Sequence, residues 1–234
     1  MGRYRSLSFL PVLLLAAAGP LAAEAQDPRM VEVVELIRGG KQAEAVARAD
    51  AMIAGFASAQ HEPGVAYYCN RDRGGVVNLM GAAQRGAKVD LAPEAWCEAL
   101  FAKAFALTDL KRYAEAQQAM AQAVAMDPSN PHFRNQYGDT LRLGGDPGAA
   151  SKQYQRALDL ATGEEAKARA DGGDVGAVSA MANRALRGLA QASAAKGDLD
   201  GAQGFYEKAL ERDSADSEAR AGLAQVARLK AKVR

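Results

Sequence analysis

Apolar residues recur at helical spacing through most of the chain, and small residues recur with them at a longer interval. Val31, Val33, Val34 and Leu36 predict one short helix, and Ala45, Ala49, Met52 and Ile53 predict a second beyond the Gly39-Gly40 turn. Together they read as a helix pair over residues 26–60. In the segment 61–96, Val76, Val77, Leu79, Met80 and Ala83 fall on one helical face between Gly74-Gly75 and Gly86. A stripe of that kind predicts a core-facing helix, set in either a degenerate helical unit or an irregular insert.

Beyond this point the pattern becomes periodic. When Cys97, Pro131 and Asn183 each open a 34-residue frame, position 8 holds Ala104, Gly138 and Ala190, and position 20 holds Ala116, Ala150 and Ala202. Position 27 holds Ala123, Ala157 and Ala209. Bulkier residues recur as Met120, Tyr154 and Tyr206 at position 24 and as Val124, Leu158 and Leu210 at position 28. Gly145-Asp146-Pro147 and Gly197-Asp198 mark turns at equivalent places. The frames divide the chain into units 97–130, 131–182 and 183–216. Residues Glu164 to Ala170 prolong a helix of the second unit, and Asp171-Gly172-Gly173-Asp174 connects it to the third. Ser217 to Lys232 read as a capping helix, with Leu223, Val226 and Leu229 inward and Arg220, Arg228, Lys230 and Lys232 toward solvent.

Small side chains at fixed positions let helix axes approach to about 8–10 Å. Units that bury only part of their apolar surface alone are stabilised by stacking, which predicts an all-α fold, an α-solenoid of antiparallel helix pairs. The stretches Tyr113-Ala114-Glu115-Ala116 to Asp127-Pro128, Gly148-Ala149-Ala150 to Tyr154-Gln155-Arg156-Ala157-Leu158, and Gly201-Ala202 to Tyr206-Glu207-Lys208-Ala209-Leu210 resemble the tetratricopeptide repeat family. Lys103 departs from the apolar residue usual at position 7, and Thr162 and Ser214 depart from the Pro common at position 32.

The resemblance implies a concave groove lined by positions 2, 5, 9 and 12 of each frame. Its site residues are then Phe101, Phe105 and Thr108 in the first unit, after Glu98, with His132, Asn135, Asp139 and Arg142 in the second. The third unit adds Arg184, Arg187 and Gln191, before Ala194. Two rings at one end suit apolar side chains, and two guanidinium groups at the other suit carboxylates. The alternative for Phe101 and Phe105 is packing on the upstream insert. Both rings stand where some relatives place a polar clamp for a C-terminal carboxylate, so that specialisation is not implied here.

Composition sets the surroundings. With 29 Lys or Arg against 28 Asp or Glu the chain is almost neutral, which argues against an electrostatic nucleic-acid binder. Ala and Gly, 53 and 23 residues, make up about a third of the chain, a composition that favours close helix packing over β structure. Residues 1–25 read as an export signal: Arg3 and Arg5, an apolar stretch from Leu7 to Ala18, and a small-residue cleavage site at Ala23-Glu24-Ala25. The apolar run falls short of a membrane span, so no stable membrane insertion is expected after its removal. The leader and the family resemblance together give a periplasmic expectation.

In an oxidising compartment Cys69 and Cys97 become candidates for a disulfide, with two free buried thiols or a redox-active dithiol as alternatives. The only histidines, His61 and His132, have no accompanying metal or catalytic motif, and no phosphate-binding Gly loop or nucleophile elbow is present. Asp171-Gly172-Gly173-Asp174 lacks the alternating ligands of a calcium loop. The expectation is a non-enzymatic protein without metal or cofactor that binds a protein or peptide. Self-association into a structural solenoid is the second reading, and thiol redox chemistry the third.

Overall fold

A computed structural model describes residues 27–60, 62–69 and 73–233, so the expected export signal, residues 1–25, lies outside the described residues. Helices come in antiparallel pairs: α1 (Pro28–Arg38) with α2 (Gln42–Ala59), α4 (Glu94–Asp109) with α5 (Tyr113–Met126), α6 (Pro131–Leu143) with α7 (Pro147–Ala170), and α8 (Gly176–Ala195) with α9 (Leu199–Arg212). A final helix, α10 (Ser217–Val233), closes the stack. The fold is an all-α solenoid, interrupted among the described residues by two four-residue strands.

Local chemistry explains the helix boundaries. Asp27, Asn130 and Asp146 cap α1, α6 and α7 by accepting backbone N–H bonds, and each stands before a Pro whose restricted φ suits the first helical turn. The turn inside each pair needs one left-handed residue. Gly40, Gly145 and Gly197 supply it, while Lys111 takes the same place in the α4–α5 turn at a φ of 60°.

All nine small repeat positions are buried, as are Met120, Tyr154 and Tyr206. Tyr154 shows why two glycines are required. Its ring lies against Gly138 on α6 and Gly188 on α8, and a Cβ on either would overlap it. Its hydroxyl donates to Asp139 Oδ1 at 2.6 Å. Lys103, the polar residue at an apolar repeat position, pairs with Asp50 of α2 at 2.6 Å. The extension of α7 is anchored by buried Glu165, which accepts from Arg169 of its own helix and Arg212 of α9. Together these arginines, Arg212 first, hold the Glu165 carboxyl below the ordinary range.

The segment between the first two pairs is a βαβ crossover. Strand β1 (Val65–Tyr68) pairs in parallel with β2 (Lys88–Leu91), Val65 opposite Lys88 and Tyr68 opposite Leu91, and α3 (Arg73–Gln84) connects them. Ring contacts join it to the array: Tyr67 lies tilted against Trp96 at 5.7 Å, and Trp96 stacks on Phe56 at 6.0 Å. A disulfide joins Cys69, just after β1, to Cys97 on α4.

The apolar stripe expected in a core is instead exposed: Val76 is 41% accessible, Val77 66% and Met80 53%. The reason is that α3 packs on β2 and turns Gly75 and Ala82 inward. Among the described residues, no helix is long and apolar enough to cross a membrane.

Candidate partner-binding site

The first helices of successive pairs, α1, α4, α6 and α8, lie side by side, with α10 against α8. They form one wall of the stack, each backed by the second helix of its pair, α2, α5, α7 or α9. Two clefts open along the first wall and meet at Phe105.

The larger cleft, about 850 Å³, is mainly apolar. Met30, Val34 and Ile37 of α1 face Phe101 and Phe105 of α4, His132 and Phe133 of α6, and Met181 of α8; the Cys69–Cys97 disulfide adds to the wall. Phe101 lies 4.7 Å from the His132 ring and 5.5 Å from the Phe133 ring, centroid to centroid. Its aromatic partners are therefore in the next helix pair and not in the insert. Phe105 remains 37% exposed, an apolar ring held in water at the junction of the clefts. Burial, reinforced by Arg184, pushes the His132 imidazole below its ordinary value and favours the neutral ring. Burial also pushes the Glu98 carboxyl above its ordinary value, helped by the charges of Glu94 and Asp27.

The second cleft, about 440 Å³, is polar and is lined by Thr108, Asp139, Arg142, Arg184, Arg187 and Gln191. The repeat frame thus brings most of its candidates to one wall. Two of the guanidinium groups, those of Arg184 and Arg187, are however already engaged. Arg184 donates to Asp139 Oδ2 at 2.7 Å and to Gln136 Oε1 at 2.9 Å. Arg187 reaches Asp216 at 2.5 Å and Glu218 at 3.1 Å. Although desolvation pushes the Asp216 carboxyl up, the Ala219 backbone N–H and Arg187 leave it below the ordinary range.

The two arginines expected to meet a partner's carboxylates are thus paired within the chain, Arg184 with Asp139 of α6 and Arg187 with Asp216, just before α10, and Glu218 of α10. Asn135 also departs from the expected groove. It is fully buried, and its Nδ2 donates to the Met181 carbonyl at 3.0 Å, joining α6 to α8 behind the wall. Thr108 lines the polar cleft while its hydroxyl donates to the Ala104 carbonyl at 2.8 Å.

Sequence reasoning missed Met30, Val34 and Ile37 because the groove positions were taken only from the three clear frames. It also missed Glu218, although an acidic residue in the first turn of the capping helix was a visible signal. Among the described residues, no group of three or more His, Cys, Asp or Glu is arranged to hold a metal ion.

The tetratricopeptide repeat family model matches residues 98–130, the α4–α5 pair. No curated protein matches the chain. Among solved structures, the first tetratricopeptide domain of Spaghetti (RPAP3) bound to the HSP90 peptide SRMEEVD is 18% identical, with 58% of this chain and 93% of that one covered at a TM-score of 0.46. The Sgt2 tetratricopeptide domain from Aspergillus fumigatus is 19% identical, covering 58% and 80% at 0.47. A double mutant of MamA (RS-1 ArsTM) is 16% identical, covering 89% and 98% at 0.43.

Proposed function

We propose that this protein is a non-enzymatic adaptor that holds a segment of a protein or peptide partner against the α1–α4–α6–α8 wall. The observation that carries this reading is the apolar cleft, where Phe101, Phe105 and Val34 line a volume suited to one or two bulky side chains. The polar cleft beside it gives the rest of an extended segment a hydrogen-bonding surface. Work after export, in envelope assembly, secretion or protein quality control, is part of the proposal. It is supported by the leader pattern ahead of Ala25 and by a disulfide of the kind that persists in oxidising compartments.

The test is a photoreactive side chain at Phe105, compared with one at Gln118, which is exposed on the outer helix α5. In the native envelope, crosslinking to a discrete partner is expected from position 105 and not from 118. Equal capture from both positions, or none from 105, rejects the reading.

Self-association is favoured by one separate observation, the exposed α3 face. Sedimentation across a concentration series detects it, and Met80→Glu then lowers the associated fraction.

A further inference from the structure

Glu94 and Glu98 stand four residues apart on α4, at the edge of the apolar cleft. Like charges at that spacing repel across one face of a helix. Glu94, in the first turn, gains from the positive end of the helix dipole, whereas Glu98 lies deeper and is half-buried. Neither carboxylate has a hydrogen-bond or ion-pair partner among the described residues. Among the described residues, Arg38, which lines the same cleft, pairs with Glu35 at 2.9 Å, and Arg29 pairs with Asp27 at 2.6 Å. His132, across the cleft, favours its neutral form. The cleft therefore joins aromatic and aliphatic walls to an unanswered negative charge.

Resting on the adaptor reading above, we propose that this cleft selects a segment in which a Lys or Arg stands beside a bulky apolar residue. The cation meets Glu94 and Glu98, and the apolar side chain enters between Phe101, Phe105 and Val34. A charge-assisted contact of this kind answers two carboxylates that have no partner among the described residues. An acidic segment meets repulsion at the same place, which excludes it as well as favouring the basic one.

The experiment uses the full chain with its disulfide intact and three amidated peptides sharing a Leu-Phe core, flanked by Lys, by norleucine or by Glu. Calorimetric titration at low ionic strength is expected to rank them Lys, norleucine, Glu, with about tenfold between the first two. Glu98→Gln keeps the shape of the cleft and is expected to reduce the Lys advantage while leaving the norleucine peptide unchanged; Glu94→Gln reduces it further. A Lys advantage that survives both substitutions overturns the proposal. If all three peptides bind equally and all weaken with Phe105→Ser, charge selection falls and the adaptor reading stands. If none binds at millimolar concentration, both fall.

Discussion

The two clefts along the α1–α4–α6–α8 wall differ in how their charges are answered. In the polar cleft Asp139 serves Arg184, Arg142 and the Tyr154 hydroxyl, while Asp216 and Glu218 serve Arg187. In the apolar cleft Glu94 and Glu98 have no such partner among the described residues. Side chains that look alike in a repeat frame therefore act differently. Where the adjoining segments bring a counter-charge, the position holds the stack together; where they do not, the proposal above gives it to a bound segment.

Tyr154→Ala tests the structural half of this contrast most severely. It opens a cavity between Gly138 and Gly188 and removes the donor to Asp139, and is expected to cost about 3–5 kcal/mol in urea denaturation. A loss below about 1 kcal/mol contradicts a structural polar half. Asp139→Asn keeps the shape but removes the charge shared by two arginines, with about 2 kcal/mol expected by the same measurement. In the other half the balance reverses. Phe105→Ser is expected to cost about 1–2 kcal/mol of stability, less than Tyr154→Ala because the ring is partly exposed, and to weaken a bound segment about tenfold or more in titration.

The smallest effects are those of pH, followed through the thermal midpoint. The folded His132 has a lowered proton affinity, so its contribution is present above the ordinary imidazole value of about 6.5 and is lost as pH falls from there toward the lowered folded value. His132→Gln is expected to flatten that loss. Glu98 works in the opposite direction. Its carboxyl is raised, so its contribution is present in acid and is lost as pH rises through the raised value. Glu98→Gln is expected to raise the midpoint on the neutral side and to leave it unchanged in acid.

The helical array was legible because its determinants repeat. Ala104, Ala116 and Ala123 have counterparts at every frame, and no other packing places nine small residues at helix crossings in this way. The βαβ crossover was not legible. Val65-Ala66-Tyr67-Tyr68 and Lys88-Val89-Asp90-Leu91 are each too short to display alternation, and their pairing is set by a connection that no local pattern reveals. The stripe through Val77 and Met80 was misread for a related reason: amphipathicity locates a face and does not say whether anything covers it. Along the wall, the frame made the placement of Phe105, Thr108, Asp139, Arg142, Arg184, Arg187 and Gln191 beside one another legible. The pairing of Arg187 with Asp216 was not, because the acid lies in the loop before the capping helix, outside the groove positions.

The disulfide separates the integrity of the chain from the integrity of the crossover. Cys69 and Cys97 enclose α3 and β2 in a covalent ring, so a single protease cut within the exposed α3 leaves one molecule under oxidising conditions and two fragments after reduction. The ring is a natural place for excision or insertion.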